Sequence, residues 1–275
     1  MPGPLEIESA SDPRVAPYRD VRERELEARE GLFIGETLVV LEAMLEVMPR
    51  RNARIHSVLA SPRMLPRVVG LLAKAGAEIP IYVAADEILA ELTGIDLHRG
   101  VLAAGERAGF APVAPREFAP AAPPRTILVA EEITNVDNVG QLFRIAAAFA
   151  CDAVLLSPGC HDPLYRKSLR VSTGNALKVP AIRAERWPDD LAAFVRRFDL
   201  ALVATAIQSS VPIGSIDPPE RTAVVVGHES LGVSAGVRAL ARHVVRIPMA
   251  PGIDSLNVAV SAAIALDRLS RGVRQ

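Results

Sequence analysis

The sequence predicts an α/β protein of two domains, a small α/β domain over 1–109 and a second over 126–275 built on a parallel sheet. Three observations carry this. Short apolar runs alternate with helical stretches along the whole chain. In the second half those runs, AVLLS, LALVATA and TAVVVG, are nearly continuous, as expected of parallel strands covered on both faces. Between the halves lies FAPVAPREFAPAAPPR, Phe110 to Arg125, with five prolines. Each proline removes a donor and fixes φ, so neither helix nor central strand runs through this segment, and 110–125 reads as a linker.

Taken in order, Asp12 to Glu30 reads as a charged helix whose stretch RDVRERELEARE mixes signs as a solvated helix does. β-like runs follow at Leu32–Gly35, Ile55–Ala60, Ile81–Ala84 and Val101–Gly105, interleaved with helical stretches at Glu36–Met48 and Pro62–Ala75. After the linker the expected strands are Thr126–Ala130, Ala153–Ser157, Leu200–Ile207, Ala223–Gly227 and Val244–Pro248. The expected helices are Val139–Ala150, Pro188–Phe198, Ser234–Arg242 and Leu256–Leu269. In such sheets ligands sit outside the carboxyl ends of the strands, so chemistry is sought where strands run into loops.

Bulk properties narrow the function classes. Half of the 275 residues are apolar, which is ample for buried cores. Lys and Arg number 31 against 32 Asp and Glu, so no whole-protein field draws the chain to nucleic acid or membrane, and any RNA contact must come from a local patch. Two cysteines, Cys151 and Cys160, fit a reducing compartment. No apolar run approaches the roughly 18 residues that span a bilayer, and the first residues have no signal-peptide pattern. A cytoplasmic protein is expected.

Several familiar sites are excluded by spacing. The turn after Thr126–Ala130 reads EEITNVDNVGQLFR, with one glycine where a dinucleotide fold needs G-x-G-x-x-G. GNALK lacks the spacing of a phosphate-cradling loop. GHESLG has His228 where a hydrolase elbow has glycine. Cys160, His161 and Asp162 are adjacent and lack a second ligand cluster, so they read as an ordinary loop and no metal is expected.

What remains is polar residues at three strand ends of the second domain: Asn135 to Arg144 (NVDNVGQLFR), Gly227 to Gly232 (GHESLG), and Ile247 to Val258 (IPMAPGIDSLNV). In this order they resemble the three motifs of the SpoU/TrmH-type RNA 2′-O-ribose methyltransferases of the SPOUT superfamily, N-x-G-x-x-x-R, G-x-E-x-x-G and I-P-M followed by S-L-N-V. The likeness spans Thr126 to Arg271. It implies a SPOUT domain tied in a deep trefoil knot, which periodicity cannot reveal because knots are nearly absent from proteins. It also implies S-adenosylmethionine as methyl donor, an RNA substrate (ribosomal or transfer RNA), and a homodimer whose protomers pair to complete the sites. His228 stands where Asn or Ser is frequent, Ser230 where Gly is frequent and Ala259 where Ser is frequent.

Carried over position by position, the resemblance gives Asn138, Arg144, Glu229, Ser255 and Asn257 as catalytic residues. For the donor it gives Gly227, Glu229, Gly232, Ile247, Met249, Ser255, Leu256 and Asn257. The residue types suit the reaction. Methyl transfer from a sulfonium is an in-line displacement that needs alignment and water exclusion rather than a metal, and alignment is worth up to about 7–11 kcal/mol in model systems. A donor without phosphate needs no glycine fingerprint. A guanidinium is effectively always protonated. Arg144 therefore serves either as a proton acceptor helped by neighbouring charge or as a clamp on phosphate and incipient alkoxide. Glu229 is expected to anchor Arg144. Each residue also has a structural reading: Asn138 as a helix cap, Ser255 as the N-cap of the last helix, Arg144 as a snorkelling surface residue and Glu229 as a loop carboxylate.

The first domain resembles more loosely, from GLFIGETLVVLEAM onward, the substrate-binding α/β unit that many family members carry. Arg50, Arg51 and Arg54, with Arg166, Lys167 and Arg170 of the second domain, are candidate phosphate contacts, which position RNA without reading its sequence. The alternative function is a catalytically silent RNA-binding or ribosome-assembly protein on the same fold. Intact Asn138, Arg144, Glu229, Ser255 and Asn257 argue against it.

Overall fold

The computed structural model describes residues 3–19, 31–94, 100–206, 211–253 and 255–270. Along the chain run β1 (Leu5–Ile7), a 3-10 helix (Pro13–Tyr18), β2 (Leu32–Glu36), α1 (Leu38–Val47), β3 (Ile55–Ala60), α2 (Leu65–Ala75), β4 (Ile81–Ala84), α3 (Asp86–Thr93) and β5 (Val101–Glu106). Next come β6 (Thr126–Ala130), α4 (Val136–Ala148), β7 (Ala153–Leu156), the short helices α5 (Arg166–Val171) and α6 (Asn175–Lys178), and β8 (Ala181–Arg183). The chain continues through α7 (Asp189–Phe198), β9 (Ala201–Thr205), β10 (Val211–Pro212), β11 (Thr222–Val226), α8 (Ala235–Leu240), β12 (His243–Arg246) and α9 (Val258–Leu269). Of the charged helix expected over Asp12 to Glu30, only the 3-10 turn is seen, and 20–30 lie outside the described residues. No helix among the described residues is long and apolar enough to cross a membrane.

The chain forms two compact units, one of Met1–Ala111 with Leu164–Lys178, the other of Pro112–Pro163 with Val179–Gln275. In the first, a mixed sheet has the order β1-β4-β3-β5-β2, with β5 antiparallel to both β2 and β3. Its α2 is bounded by chemistry legible in the sequence, Pro66 in its first turn and Gly76 in the left-handed conformation (φ 62°) after its last. Tyr18 is fully buried and stitches this unit together: its hydroxyl lies 2.8 Å from the carbonyl oxygen of Ser57 and accepts from the amide of Ala104 at 3.2 Å. Burial pushes the Tyr18 phenol well above its ordinary range, against those hydrogen bonds.

Two boundaries differ from the sequence reading. Leu164–Lys178, expected in the second domain, packs in the first unit, where Arg166 and Arg170 reach the buried carboxylate of Glu36 and Lys178 pairs with Glu46. The proline-rich stretch is divided at Pro112, and from there it is part of the second unit. Val113 adds a bridge to the edge strand at Ile182, and Phe118 is buried against Phe194 and Phe198 with ring centroids 5.8 and 6.0 Å apart. Proline stops regular structure but not packing, and burying one such aromatic is worth roughly 1.5–3 kcal/mol.

The second unit is a seven-stranded, wholly parallel sheet in the order β10-β12-β9-β11-β6-β7-β8. The strands β6, β9 and β11 are apolar and almost completely buried, as the runs in the sequence required. Ile127, Val129, Leu155, Leu202 and Val225 pack with Leu191 and Phe194 of α7 on one face. Alternate residues face the other side, where α9 lies on β11 and α4. From β6 the chain first moves outward through β7 and β8, then returns to build β9, β11 and β12 on the other side. The switch in direction falls between the neighbours β6 and β11, where doubly wound sheets open their ligand crevice.

Candidate active site

A cavity of about 910 Å³ opens at the carboxyl ends of β9, β11 and β12, beside that switch point. Its walls are the segments leaving those strands: Thr205 and Ala206, Val226 to Val233, and Val245 to Ile253, closed by Ser255, Leu256, Val258 and Ser261. Seven of the eight residues expected to hold the donor line it, namely Gly227, Glu229, Gly232, Ile247, Met249, Ser255 and Leu256.

The glycines have a backbone reason. A Cβ on Gly227 would come within 2.3 Å of the carbonyl oxygen of Gly232, and Gly232 itself has φ +65°. The loop after β11 thus folds back upon its own start, with the Gly232 amide donating to the His228 carbonyl at 2.8 Å. Only residues lacking a side chain permit that approach.

Residues from all three motifs meet through hydrogen bonds. Asn138, buried in α4, donates its amide Nδ2 to Oε1 of Glu229, and its Oδ1 accepts from Asn257 Nδ2 at 3.1 Å. Asn257 also caps α9, its Oδ1 accepting from the amide of Ala259 at 2.9 Å. The cap expected of Ser255 is therefore supplied by Asn257, and the cap expected of Asn138 is supplied by Asn135, whose Oδ1 accepts from the amides of Asp137 and Asn138. Asn138 is thereby free to bridge.

Arg144 is not brought to this group. It is exposed on α4 and is absent from the cavity lining, and the partner expected for it, Glu229, is engaged by Asn138. Six residues along a helix set Arg144 about 120° around α4 from Asn138, so the two side chains leave the helix in different directions. Other expected cations have partners within their units. Arg51 donates to the Gly109 carbonyl at 2.9 Å and stacks on Phe110, and Arg54 pairs with Glu106 at 3.1 Å. Arg50 is exposed.

Glu131 was not singled out from the sequence. It follows β6 directly and is 3% exposed, yet both oxygens are used: Oε1 accepts from Trp187 Nε1 at 2.7 Å and Oε2 from the amide of Ser234 at 2.7 Å. It thus ties the end of the cavity loop to the strand beside the switch point. The available signal was an acidic pair directly after an apolar strand. Glu131→Gln sets an amide NH2 against one of two buried donors and is expected to cost about 1–3 kcal/mol, read as a lower urea midpoint at unchanged slope. A midpoint equal to that of the wild type would show those donors to be satisfied otherwise.

The loop after β7 is similarly closed. Cys160 is buried, its thiol donates to the Ala130 carbonyl at 3.2 Å, and Arg183 donates to the carbonyls of Cys160 and His161. Burial pushes the Cys160 thiol upward, as it pushes Cys151 up to about 12. Among the described residues no group of three or more His, Cys, Asp or Glu is placed to hold a metal.

Residues 125–267 match the model of the SpoU rRNA Methylase family. A Mycobacterium tuberculosis protein described as an uncharacterized tRNA/rRNA methyltransferase is 36% identical over 266 residues, 94% of this chain and 89% of the relative. The 23S rRNA (guanosine(2553)-2′-O)-methyltransferase of Bacillus subtilis is 31% identical over 147 residues, 53% of this chain and 58% of that enzyme. In fold, the chain is similar to an AdoMet-bound rRNA methyltransferase from Sinorhizobium meliloti, with TM-score 0.80 and 21% identity across 99% of both chains. With residues of three motifs joined by hydrogen bonds beside one cavity, a matched family model and a relative alike over nearly its whole length, the chain belongs to the SpoU rRNA methylase family.

Proposed function

We propose that the chain binds S-adenosylmethionine in the cavity at the ends of β9, β11 and β12 and methylates a ribose 2′-hydroxyl of structured RNA, working as a cytoplasmic homodimer. Membership of the family carries the reaction and its donor. The observation that carries the assignment of the site is the meeting of Asn138, Glu229 and Asn257 beside a cavity lined by Glu229 itself with Gly227, Gly232, Ile247, Met249, Ser255 and Leu256.

The cavity suits such a donor. Apolar side chains of Val226, Ile247, Leu256 and Val258 and the close-folded backbone at Gly227 and Gly232 offer walls and amide groups to a nucleoside that bears no phosphate. Glu229 supplies a carboxylate to a cation in the same space. When bound, the donor supplies an electrophilic methyl group. The residues of the chain then have three tasks: the loops exclude water, Asn138 and Asn257 hold Glu229 in one orientation, and Ser255 and Asn257 orient the ribose or the loop by hydrogen bonds. Ile247, Met249 and Leu256 enclose the donor.

Arg144 completes the site from the second protomer. Its exposure on α4, away from the cavity of its own chain, supports that reading. So do the exposed apolar side chains at the cavity loops and the start of α9: Leu231 is 82% exposed, Ile253 55% and Val260 46%, the pattern of a surface awaiting a copy of itself. The loops that follow β11 and β12, with their described residues 227–233 and 247–253, form the trefoil knot, and the packing of α9 on β11 and α4 supports it. The first unit selects the RNA. Free, buried Cys151 and Cys160 suit the reducing cytoplasm.

The test is transfer of labelled methyl from S-adenosylmethionine to ribosomal and transfer RNA pools, with the product mapped as a 2′-O-methyl nucleoside. The Bacillus subtilis relative acts on 23S rRNA, so label is expected first in that pool. Donor binding without label in any pool would favour a silent RNA-binding protein.

A further inference from the structure

We propose that His228 is a positioning residue whose imidazole holds the cavity loop in its closed shape, acting as a side-chain cap on the turn that carries Glu229. The proposal deepens the donor-site reading above and rests on it for its ligand.

His228 lines the cavity directly before Glu229. Its Nδ1 accepts from the amide of Ser230 at 3.0 Å and from that of Leu231 at 3.4 Å, while its carbonyl accepts from the amide of Gly232 at 2.8 Å. One residue therefore satisfies three successive amides of a turn whose tip, Leu231, is 82% exposed. Amides pointing inward at one acceptor are how Asn and Asp close short turns upon themselves. Here the ring nitrogen stands in for the amide oxygen. The arrangement fixes the ring proton on Nε2, because Nδ1 can accept two N–H groups only while it carries no proton.

Glu229 lies inside that turn, and Asn138 holds its carboxylate from α4. With the ring acceptor removed, the amides of Ser230 and Leu231 face water or each other, and the loop samples open shapes that must be closed again on binding. A binding-competent shape populated only in part weakens apparent affinity by that fraction. The effect falls on donor binding first.

Asparagine is the informative substitution, since its Oδ1 reaches the position of Nδ1 and accepts in the same way, without the bulk of the ring. The experiment measures S-adenosylhomocysteine binding by calorimetry on the full-length chain, and hydrogen exchange at the amides of Ser230 and Leu231 in the ligand-free chain. For His228→Ala, the loss of two hydrogen bonds predicts a Kd raised about tenfold, a KM for the methyl donor raised more than kcat is lowered, and faster exchange at both amides. For His228→Asn, Kd and exchange return to within about threefold of wild type. In the wild type, ring 15N spectra show Nδ1 as the unprotonated nitrogen.

An alanine variant with unchanged Kd and exchange overturns the proposal. So does an asparagine variant as weak as alanine, which would assign the effect to ring packing. A ring proton found on Nδ1 overturns it as well. Failure of the wild type to bind S-adenosylhomocysteine would remove the donor-site reading, while amide exchange would still judge the role of His228.

Discussion

Arg144→Ala is expected to lower kcat by about 10²–10³-fold, the loss typical of removing one charged group aimed at a developing oxyanion, with S-adenosylhomocysteine affinity little changed. The split follows from geometry. Arg144 is exposed on α4 and lies outside the lining of the cavity in its own chain, so its removal leaves the donor walls intact. A hydrated guanidinium keeps its charge, which favours the clamp over the proton acceptor: a cation that holds the target phosphate and steadies the alkoxide as it forms. The homodimer reading adds a stronger test by complementation. Arg144→Ala and Glu229→Ala chains, each inactive alone, are mixed and re-associated. If Arg144 serves the partner's cavity, half of the dimers are mixed and each has one intact site, so about a quarter of wild-type activity returns. Mixed dimers that stay inactive would place Arg144 in the site of its own chain, and an Arg144→Ala chain of wild-type kcat would remove it from catalysis.

Five of the seven strands of the parallel sheet, β6, β7, β9, β11 and β12, were legible as nearly unbroken apolar runs, each found within two residues of its expected start. What local pattern missed was short or distant. The strands β1, β8 and β10 have three residues or fewer, too little for a period to register. The attachment of Leu164–Lys178 to the first unit depends on Glu36 meeting arginines 130 and 134 positions away. No composition or period encodes such a pairing. Phe118 was hidden by its prolines, which were read as linker chemistry although the aromatic between them had a core to join.

Within the site, residue types were legible and pairings were not. The resemblance to the three motifs singled out Asn138, Glu229 and Asn257, yet opposite charge suggested Glu229 with Arg144, whereas the folded chain pairs Glu229 with Asn138. Glu131 escaped because its partners, an indole 56 positions away and a backbone amide 103 positions away, are distant in sequence, and an acidic pair after an apolar strand does not name them.

Glu36→Ala is expected to destabilise the first unit by about 2–4 kcal/mol, near the lower part of the range for breaking a buried ion pair, because its arginines retain some water. The side chain of Glu36 is 5% exposed, that of Arg166 21% and that of Arg170 37%. Arg166 Nη1 lies 2.6 Å from Oε2 of Glu36, and Arg170 Nη1 lies 3.0 Å from Oε1, so two cations one turn apart on α5 grip one carboxylate at the end of β2. Removing the carboxylate leaves both cations facing a buried strand end. Glu36→Gln keeps the shape and one acceptor and should lose less. The measurement is urea unfolding followed by a probe of the first unit, with a cycle of Glu36→Ala and Arg166→Ala to isolate the pair: coupling above about 1 kcal/mol is expected for contacting groups. Coupling near zero would mean that the pair behaves as an exposed one, and would return Arg166 and Arg170 to the candidate phosphate contacts. Strong coupling commits them to the fold, so that RNA affinity must be sought at other cations of the first unit, among which Arg50 is exposed.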